Sequence, residues 1–199
     1  SGRTDAGVNA LGQSANFYLK DKIKNKFKFL SSANYFLRKH EISIIDIKIR
    51  NFKFHARHSA KNREYEYVIL NRLAKPCIDH NRVWLVVKTL DLDKMKKAIS
   101  YFVGTHDFSA FRSSSCTAKS PMRTINFAKI QKKGNKIFIS FKSKSFLQKQ
   151  VRSMVGCLKY VGEKKWSPYK INQIIKSKKR ASCAPPAPPQ GLFLKKIYY

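Results

Sequence analysis

Residues 125–142 read INFAKIQKKGNKIFISFK and contain two runs in which β-branched and aromatic residues recur. The runs Ile125–Gln131 and Lys136–Lys142 flank the polar tetrapeptide 132–135, KKGN, in which Gly134 and Asn135 favour a tight turn. The pattern predicts a β-hairpin. We therefore expect an antiparallel sheet in this part of the chain.

Three segments around the hairpin have helical spacing of apolar residues. A helix is predicted over Leu92–Val103, with Asp91 as its cap and Gly104 at its end, and another over Phe146–Val161. Pro168 behind Ser167 predicts the start of a third helix, and residues 32–38 have a weaker helical pattern. Gly156 lies inside the second helix, where glycine costs about 1 kcal/mol relative to alanine, so a close backbone contact is expected there.

Further β-rich runs occupy residues 42–50, 63–70, 83–87 and 192–198, the last preceded by the stiff segment 185–189, PPAPP. These runs do not alternate with helices in a regular βαβ order. The predicted fold class is therefore α+β, a largely antiparallel mixed sheet with helices packed on one face. We expect two halves, residues 1–104 and 105–199, divided near Gly104.

The chain is strongly basic, with 42 Lys and Arg residues against 11 Asp and Glu residues and a formal charge of +31. Residues 1–107 contain 21 basic and 10 acidic residues, whereas residues 108–199 contain 21 basic residues and only Glu163 as an acid. A polyanion is the natural partner for such a charge, and the second half is the better candidate for phosphate contacts. A biased surface composition would explain part of the excess.

Other classes of protein receive little support. The four cysteines, Cys77, Cys116, Cys157 and Cys183, form no C-x-x-C pair and have no histidine at ligand spacing, so neither zinc nor a redox motif is indicated. We expect them to be reduced thiols of an intracellular protein. No apolar run approaches the roughly 20 residues of a transmembrane helix.

Residues 1–10, SGRTDAGVNA, place a carboxylate and a guanidinium among small residues in one short stretch. Gly2 and Gly7 permit backbone geometries that other residues resist, and a basic surrounding favours the ionised form of Asp5. An ionised, fixed carboxylate can act as a nucleophile. From the residues alone, a turn in which Asp5 bonds its own backbone is at least as good an interpretation.

Residues 2–8, GRTDAGV, closely resemble the signature loop of the tRNA pseudouridine synthase A family. The resemblance implies the pseudouridine synthase fold, with a central RNA-binding cleft, and makes Asp5 the essential nucleophile. In the reaction that the resemblance implies, the nucleophile attacks a uridine, the glycosidic bond breaks, and the rotated uracil rejoins the ribose through carbon. Attack on the base and attack on the sugar both remain open. No metal or organic cofactor is implied.

Two distant segments resemble further blocks of the same family. Residues 54–60, FHARHSA, with 63–69, REYEYVI, match the second block, whose first tyrosine contacts the substrate base; that role falls on Tyr65. Residues 146–156, FLQKQVRSMVG, match the third block, whose basic residue approaches the catalytic carboxylate; that role falls on Arg152. Without the family, Tyr65 and Tyr67 are core residues, and Arg152 is a surface contact for phosphate.

The resemblance also assigns Arg3 to the space that the flipped nucleotide leaves, since a stacked uridine must be extruded before it can react. A local ion pair with Asp5 is the simpler interpretation of Arg3. The family further implies a tRNA substrate modified at tRNA positions 38 to 40 in the anticodon arm, a homodimer, and a cytoplasmic location without membrane contact.

Two departures from the family pattern accompany the match. Family members begin some tens of residues before the signature loop, with a strand and a helix, so we expect one unpaired sheet edge in the first half. Asn9 stands where the family usually has His, and because Asn also donates and accepts hydrogen bonds, we interpret it as a tolerated replacement. The competing hypotheses are a non-catalytic RNA-binding relative and a basic structural protein of the ribosomal type.

Overall fold

The computed structural model describes residue 2 and residues 4–199 of the chain. Its described part contains one seven-stranded mixed sheet. The strands are β1 (Asn9–Ala10), β2 (Asn62–Leu70), β3 (Trp84–Leu85), β4 (Gly104–Asp107), β5 (Met122–Lys133), β6 (Lys136–Ser143) and β7 (Leu192–Tyr198). The helices are α1 (Lys26–Leu37), α2 (Leu92–Ile99), α3 (Gln150–Gly162) and α4 (Lys170–Ser177).

The strand order along the sheet is β1-β7-β2-β6-β5-β4, with β3 joined to the end of β2. The pairs β2/β6, β2/β7, β5/β6 and β4/β5 are antiparallel, whereas the short strands β1 and β3 pair in parallel with β7 and β2. The predicted α+β class with a largely antiparallel sheet is confirmed. Because β7 lies between β1 and β2, the last strand of the chain is the direct neighbour of the first.

One face of the sheet carries the main core. Alternate residues of β2, among them Tyr67 and Ile69, are buried in the same cluster as Met95 of α2 and Met154 of α3. The opposite face carries only a small apolar cluster around Val68, which faces away from Tyr67 because successive strand residues alternate in direction. The prediction that the helices pack on one face is confirmed for α2, α3 and α4, whereas α1 has no buried residue.

Several elements agree with the sequence patterns. The hairpin β5/β6 turns at Gly134, whose φ of +56° is the left-handed conformation that favours glycine. Asp91 caps α2 by accepting the backbone N–H of Lys94, and a short 3-10 turn, Ser100–Phe102, completes the segment predicted as helix. The final strand has the predicted bounds. No helix within the described residues is both long and apolar enough to cross a bilayer.

The predicted strand over residues 42–50 is wrong, because this stretch forms no strand. The side chain of Asn34 donates to the carbonyl of Ile44 and accepts its N–H, at 2.9 and 2.8 Å. Those two backbone groups are therefore not available to a ladder. Ile45 and Ile49 are 82% and 68% exposed, so these β-branched side chains do not pack into the core as those of a sheet strand would.

Three helix boundaries also differ from the predictions. The helix predicted from Phe146 begins at Gln150, because Lys149 adopts a left-handed φ of +62° just before it. The helix predicted from Pro168 begins at Lys170, and no side chain caps its start. In the first half, α1 begins at Lys26 rather than Ser32, since Asn25 accepts the N–H of Lys28 and caps it earlier.

The close backbone contact predicted at Gly156 is present. A Cβ atom at this position would lie 2.1 Å from the carbonyl oxygen of Pro185. Only a residue without a side chain allows α3 and the proline-rich segment to approach this closely. Gly156 therefore determines how residues 185–191 lie against the helix.

We predict that Gly156→Ala destabilises the protein by about 3 kcal/mol, because the added methyl group meets fixed backbone. Gly134→Ala is the control: a Cβ there meets nothing within 4 Å, and only the left-handed φ costs about 1 kcal/mol. Urea unfolding followed by circular dichroism measures both changes. Equal midpoints for Gly156→Ala and the unsubstituted protein would contradict the packing described here.

Candidate active site

Asp5 begins a four-residue turn. The N–H of Val8 donates to the carbonyl of Asp5 at 3.2 Å, and Gly7 at the third position has a φ of +78°. This combination is the signature of a type II turn, which needs glycine or asparagine at that position. A Cβ at Gly7 would also lie 3.1 Å from a ring carbon of Pro189. The turn therefore fixes Asp5 at its start and rests on the proline-rich segment.

Arg152, on the first turn of α3, binds the carboxylate of Asp5. Its Nη1 donates to Oδ2 at 2.7 Å, although 147 residues separate the two in sequence. The side chains are 13% and 22% exposed, so water screens this pair less than an exposed one. Among the residues described, Arg152 and Asp5 are thus held together in a partly buried position.

The orientation of Arg152 is fixed by Ala187. Nε of Arg152 donates to the carbonyl of Ala187 at 2.7 Å, and the N–H of Ala187 donates to the carbonyl of Arg152 at 2.9 Å. One donor of the guanidinium is therefore occupied by backbone, while another is directed at Asp5. A planar guanidinium has donors in fixed directions, so both bonds together determine its position.

Tyr65, the third predicted site residue, lies on β2 beside an irregularity in the ladder. Between Glu64 and Tyr65 the register with β7 shifts, so that Lys195 is the extra residue of a bulge. Bulges redirect neighbouring side chains and are frequent beside active sites. The ring of Tyr65 meets that of Phe146 edge to face at 5.3 Å, and the residue is 8% exposed.

The electrostatic surroundings of Tyr65 connect it to Asp5. Burial raises the pKa of its phenol, the positive charge of Arg63 lowers that pKa, and the carboxylate of Asp5 raises it. The net direction is upward, so the phenol is neutral at physiological pH. The hydroxyl also lies 3.5 Å from the position that a Cβ at Gly2 would take. Tyr65 therefore belongs to the same neighbourhood as the loop and Asp5.

The structure brings together three of the four residues that the sequence singled out, namely Asp5, Tyr65 and Arg152. Arg3 lies outside the described residues. Tyr67 is a core residue, as the residues alone predict. It is fully buried, and its hydroxyl donates to the carbonyl of Pro188 at 2.7 Å. Burial raises the pKa of the Tyr67 phenol, and the positive charge of Arg152 lowers it; the net shift is upward.

Asn9 has a structural task in this arrangement. Its Nδ2 donates to the carbonyl of Gln190 at 2.9 Å and to that of Asn81 at 3.3 Å. An amide nitrogen has two donors, and both find backbone acceptors here. Asn9, the first residue of β1, therefore attaches the loop that carries Asp5 to the proline-rich segment where β1 pairs with β7.

Sequence reasoning missed two contributors to the site. Ala187 orients Arg152 through its backbone, which no side-chain pattern discloses, and the segment around it was interpreted only as an entry to the last strand. Phe146 packs against Tyr65, yet its position in the apolar pattern of residues 146–158 indicated helix core. The proline run 185–189 was the available signal for these backbone acceptors. Prolines have no N–H to donate to a regular ladder, so carbonyl groups of such a segment can accept from side chains.

The chain is similar to known proteins over its whole length. A family model described as tRNA pseudouridine synthase matches residues 98–199. Over 199 residues, all of this chain and 81% of the relative, the sequence is 55% identical to "tRNA pseudouridine synthase A" of Pelagibacter ubique (strain HTCC1062). Proteins of the same name from Ehrlichia chaffeensis (strain ATCC CRL-10679 / Arkansas) and Parvibaculum lavamentivorans (strain DS-1 / DSM 13023 / NCIMB 13966) are 43% and 41% identical over the whole chain.

The α+β fold with its open mixed sheet is that of a pseudouridine synthase. The chain belongs to the tRNA pseudouridine synthase family, whose members are isomerases. The resemblance stated from the three sequence blocks is thereby confirmed.

We predict a coupling of about 1–2 kcal/mol between Asp5 and Arg152 in a double-mutant cycle built from Asp5→Ala and Arg152→Met. The reason is the partial burial of both charges at 2.7 Å. The matched control is the exposed pair Asp93 and Lys96 at 3.6 Å, whose coupling should stay below about 0.5 kcal/mol. Urea unfolding of the seven proteins measures both couplings, and equal couplings would show that the site pair has no special stability.

Proposed function

We propose that this chain isomerises uridine to pseudouridine in the anticodon arm of tRNA, at tRNA positions 38 to 40, with Asp5 as the nucleophile. The observation that carries the proposal is the bond between Arg152 and Oδ2 of Asp5 in a partly exposed position. A carboxylate that a guanidinium binds in this way is oriented before any substrate binds. The names of the relatives supply the substrate class, tRNA.

The proposed reaction uses the two carboxylate oxygens differently. Oδ2 stays with Arg152, and Oδ1 attacks the uridine, either at the base or at the ribose. The bond between the ribose and the ring nitrogen breaks, the uracil turns, and a carbon of the ring bonds to the ribose. That carbon loses its proton, the ring nitrogen gains one, and the bond to Oδ1 breaks, which frees the carboxylate. Arg152 then stabilises the freed carboxylate of Asp5 again, because the carbonyl of Ala187 holds its guanidinium in place.

Tyr65 has the proposed role of contacting the extruded base. Its ring is braced edge to face by Phe146, and its neutral phenol can donate a hydrogen bond without adding a charge. The base would enter between this ring and the carboxylate of Asp5. Arg3, for which the proposal rests on the family resemblance alone, would occupy the space left in the RNA.

Phosphate binding is assigned mainly to residues 108–199, which contain 21 basic residues and a single acidic residue, Glu163. Glu163 is itself occupied, since Lys159 and Lys165 bind its two oxygens at 2.7 and 3.1 Å. Within this stretch basic residues therefore outnumber acidic ones by 20, and acidic residues that precede it in the chain pair with only four of them, Lys136, Arg152, Lys178 and Lys195, among the described residues. A central RNA-binding cleft, a division into two halves near Gly104, a homodimer and a cytoplasmic location belong to the same proposal, on family resemblance.

We predict that Asp5→Ala and Asp5→Asn lower the single-turnover rate of pseudouridine formation by at least roughly a thousandfold, because the nucleophile is lost. Asp93→Asn, a change at an 88% exposed carboxylate on α2, is the matched control and should retain the full rate. The measurement is tritium release from tRNA that carries 5-tritiated uridine, with tRNA binding recorded in parallel.

Three outcomes would contradict the proposal. Equal product from Asp5→Ala and the unsubstituted protein would exclude Asp5 as the nucleophile. Tight tRNA binding without product from the unsubstituted protein would instead favour the non-catalytic RNA-binding hypothesis. Lost product together with lost binding in Asp5→Asn would assign Asp5 a structural role.

A further inference from the structure

A second concave site lies outside the group of Asp5, Tyr65 and Arg152. It is an open pocket of about 700 Å³ lined by residues 49–51, Lys53, Phe54, Ser59 and Tyr199. None of its lining residues belongs to the candidate active site. The chain between residues 49 and 54 has no regular secondary structure, so the pocket is formed by a loop against the end of β7.

Two aromatic rings form one wall of this pocket. The rings of Phe54 and Tyr199 lie 5.0 Å apart and are inclined at 59°. The hydroxyl of Tyr199 donates to the carbonyl of Ala56 at 2.9 Å, and the N–H of Phe54 donates to the carbonyl of Asn51 at 3.0 Å. Both rings are partly accessible to solvent. The wall is therefore fixed by hydrogen bonds and still offers an aromatic surface.

Two cations lie beside the aromatic wall. The guanidinium of Arg50 is 5.6 Å from the centre of the Phe54 ring, and both Arg50 and Lys53 are exposed. Neither forms an ion pair with a carboxylate in the part of the chain that the structure describes, and no acidic residue lines the pocket. The local charge is therefore uncompensated and suits an anion.

Asn51 and Ser59 add hydrogen-bonding groups to the same pocket. The Ser59 hydroxyl accepts the N–H of His55 at 3.0 Å and has its own proton to donate. A ligand that was only an anion would not need the aromatic wall, and an apolar ligand would not need the cations. A nucleotide has an aromatic base, hydrogen-bonding edges and a phosphate, and so it matches all three features.

We propose that this pocket binds an unpaired nucleotide of the RNA substrate, with its base against Phe54 and Tyr199 and its phosphate against Arg50 and Lys53. The base must be unpaired, because a base inside a duplex presents neither face to a protein ring. This inference rests on the proposed function for the identity of the RNA. It adds a binding site separate from the one in which the uridine reacts.

The test compares binding of a fluorescein-labelled hexauridylate with binding of a duplex RNA of the same length. Phe54→Leu should weaken hexauridylate binding by about tenfold, the effect of losing one stacked base, while Phe54→Tyr, which keeps a ring, stays within about twofold of the unsubstituted protein. Duplex binding should change less than about twofold in both variants. Circular dichroism checks that Phe54→Leu is folded.

A charge test remains if Phe54→Leu does not fold. The double variant Arg50→Ala with Lys53→Ala changes only exposed side chains. It should reduce the slope of log affinity for hexauridylate against log salt by about 1.4, which corresponds to two phosphate contacts with a single strand. The control is Lys94→Ala with Lys97→Ala, two exposed residues of α2 outside the stretch to which phosphate binding is mainly assigned, for which the slope should change by less than half as much.

Equal loss of single-strand and duplex binding in Phe54→Leu would overturn the proposal, as would equal slopes for the two double variants. Binding of free uridine monophosphate with the same affinity as hexauridylate would assign the pocket to a small nucleotide instead. Product formation is a separate readout: Phe54→Leu should raise KM about tenfold and leave the rate at saturating tRNA unchanged. These binding results judge the pocket even if the protein forms no pseudouridine.

Discussion

Residues 185–191 form the contact on which the site depends. The four prolines of this segment have no N–H to donate to a regular ladder, and three carbonyl groups of the segment accept from side chains in different parts of the chain. Ala187 accepts from Arg152, Pro188 from Tyr67 and Gln190 from Asn9. Helix α3, strand β2 and the loop of Asp5 are therefore positioned by one stretch of backbone. The absence of a side chain at Gly156 allows that stretch to reach the helix.

A strongly positive protein creates a particular condition for the carboxylate of Asp5, the proposed nucleophile. With a formal charge of +31, an unfixed carboxylate would have several cationic partners to choose from. Arg152 removes this freedom, because its guanidinium is bonded to backbone as well as to Asp5. The remaining basic residues are left for RNA. In this account the same composition supplies phosphate contacts and a carboxylate held in a single orientation.

The sequence predicted the elements whose patterns reflect burial. The alternation in residues 63–69 placed Tyr67 and Ile69 on the core face, and the apolar spacing of residues 146–161 indicated the helix that carries Arg152. It failed at residues 42–50, because Asn34 binds the backbone of Ile44 from outside that stretch. The meeting of Asp5 and Arg152 came from family resemblance, since no local pattern relates residues 147 positions apart. Backbone acceptors such as Ala187 leave no mark in composition or periodicity.

A crystal structure of the Asp5→Asn variant bound to a uridine-containing anticodon stem-loop would test the central claim most directly. Asn has nearly the shape of Asp and lacks the attacking charge, so the uridine should remain unreacted in place. The account predicts an extruded uridine with its reacting carbon about 3–3.5 Å from the residue 5 side chain, and Arg152 still bonded to Ala187. A uridine bound elsewhere on the protein, with residue 5 facing only its own turn, would contradict it.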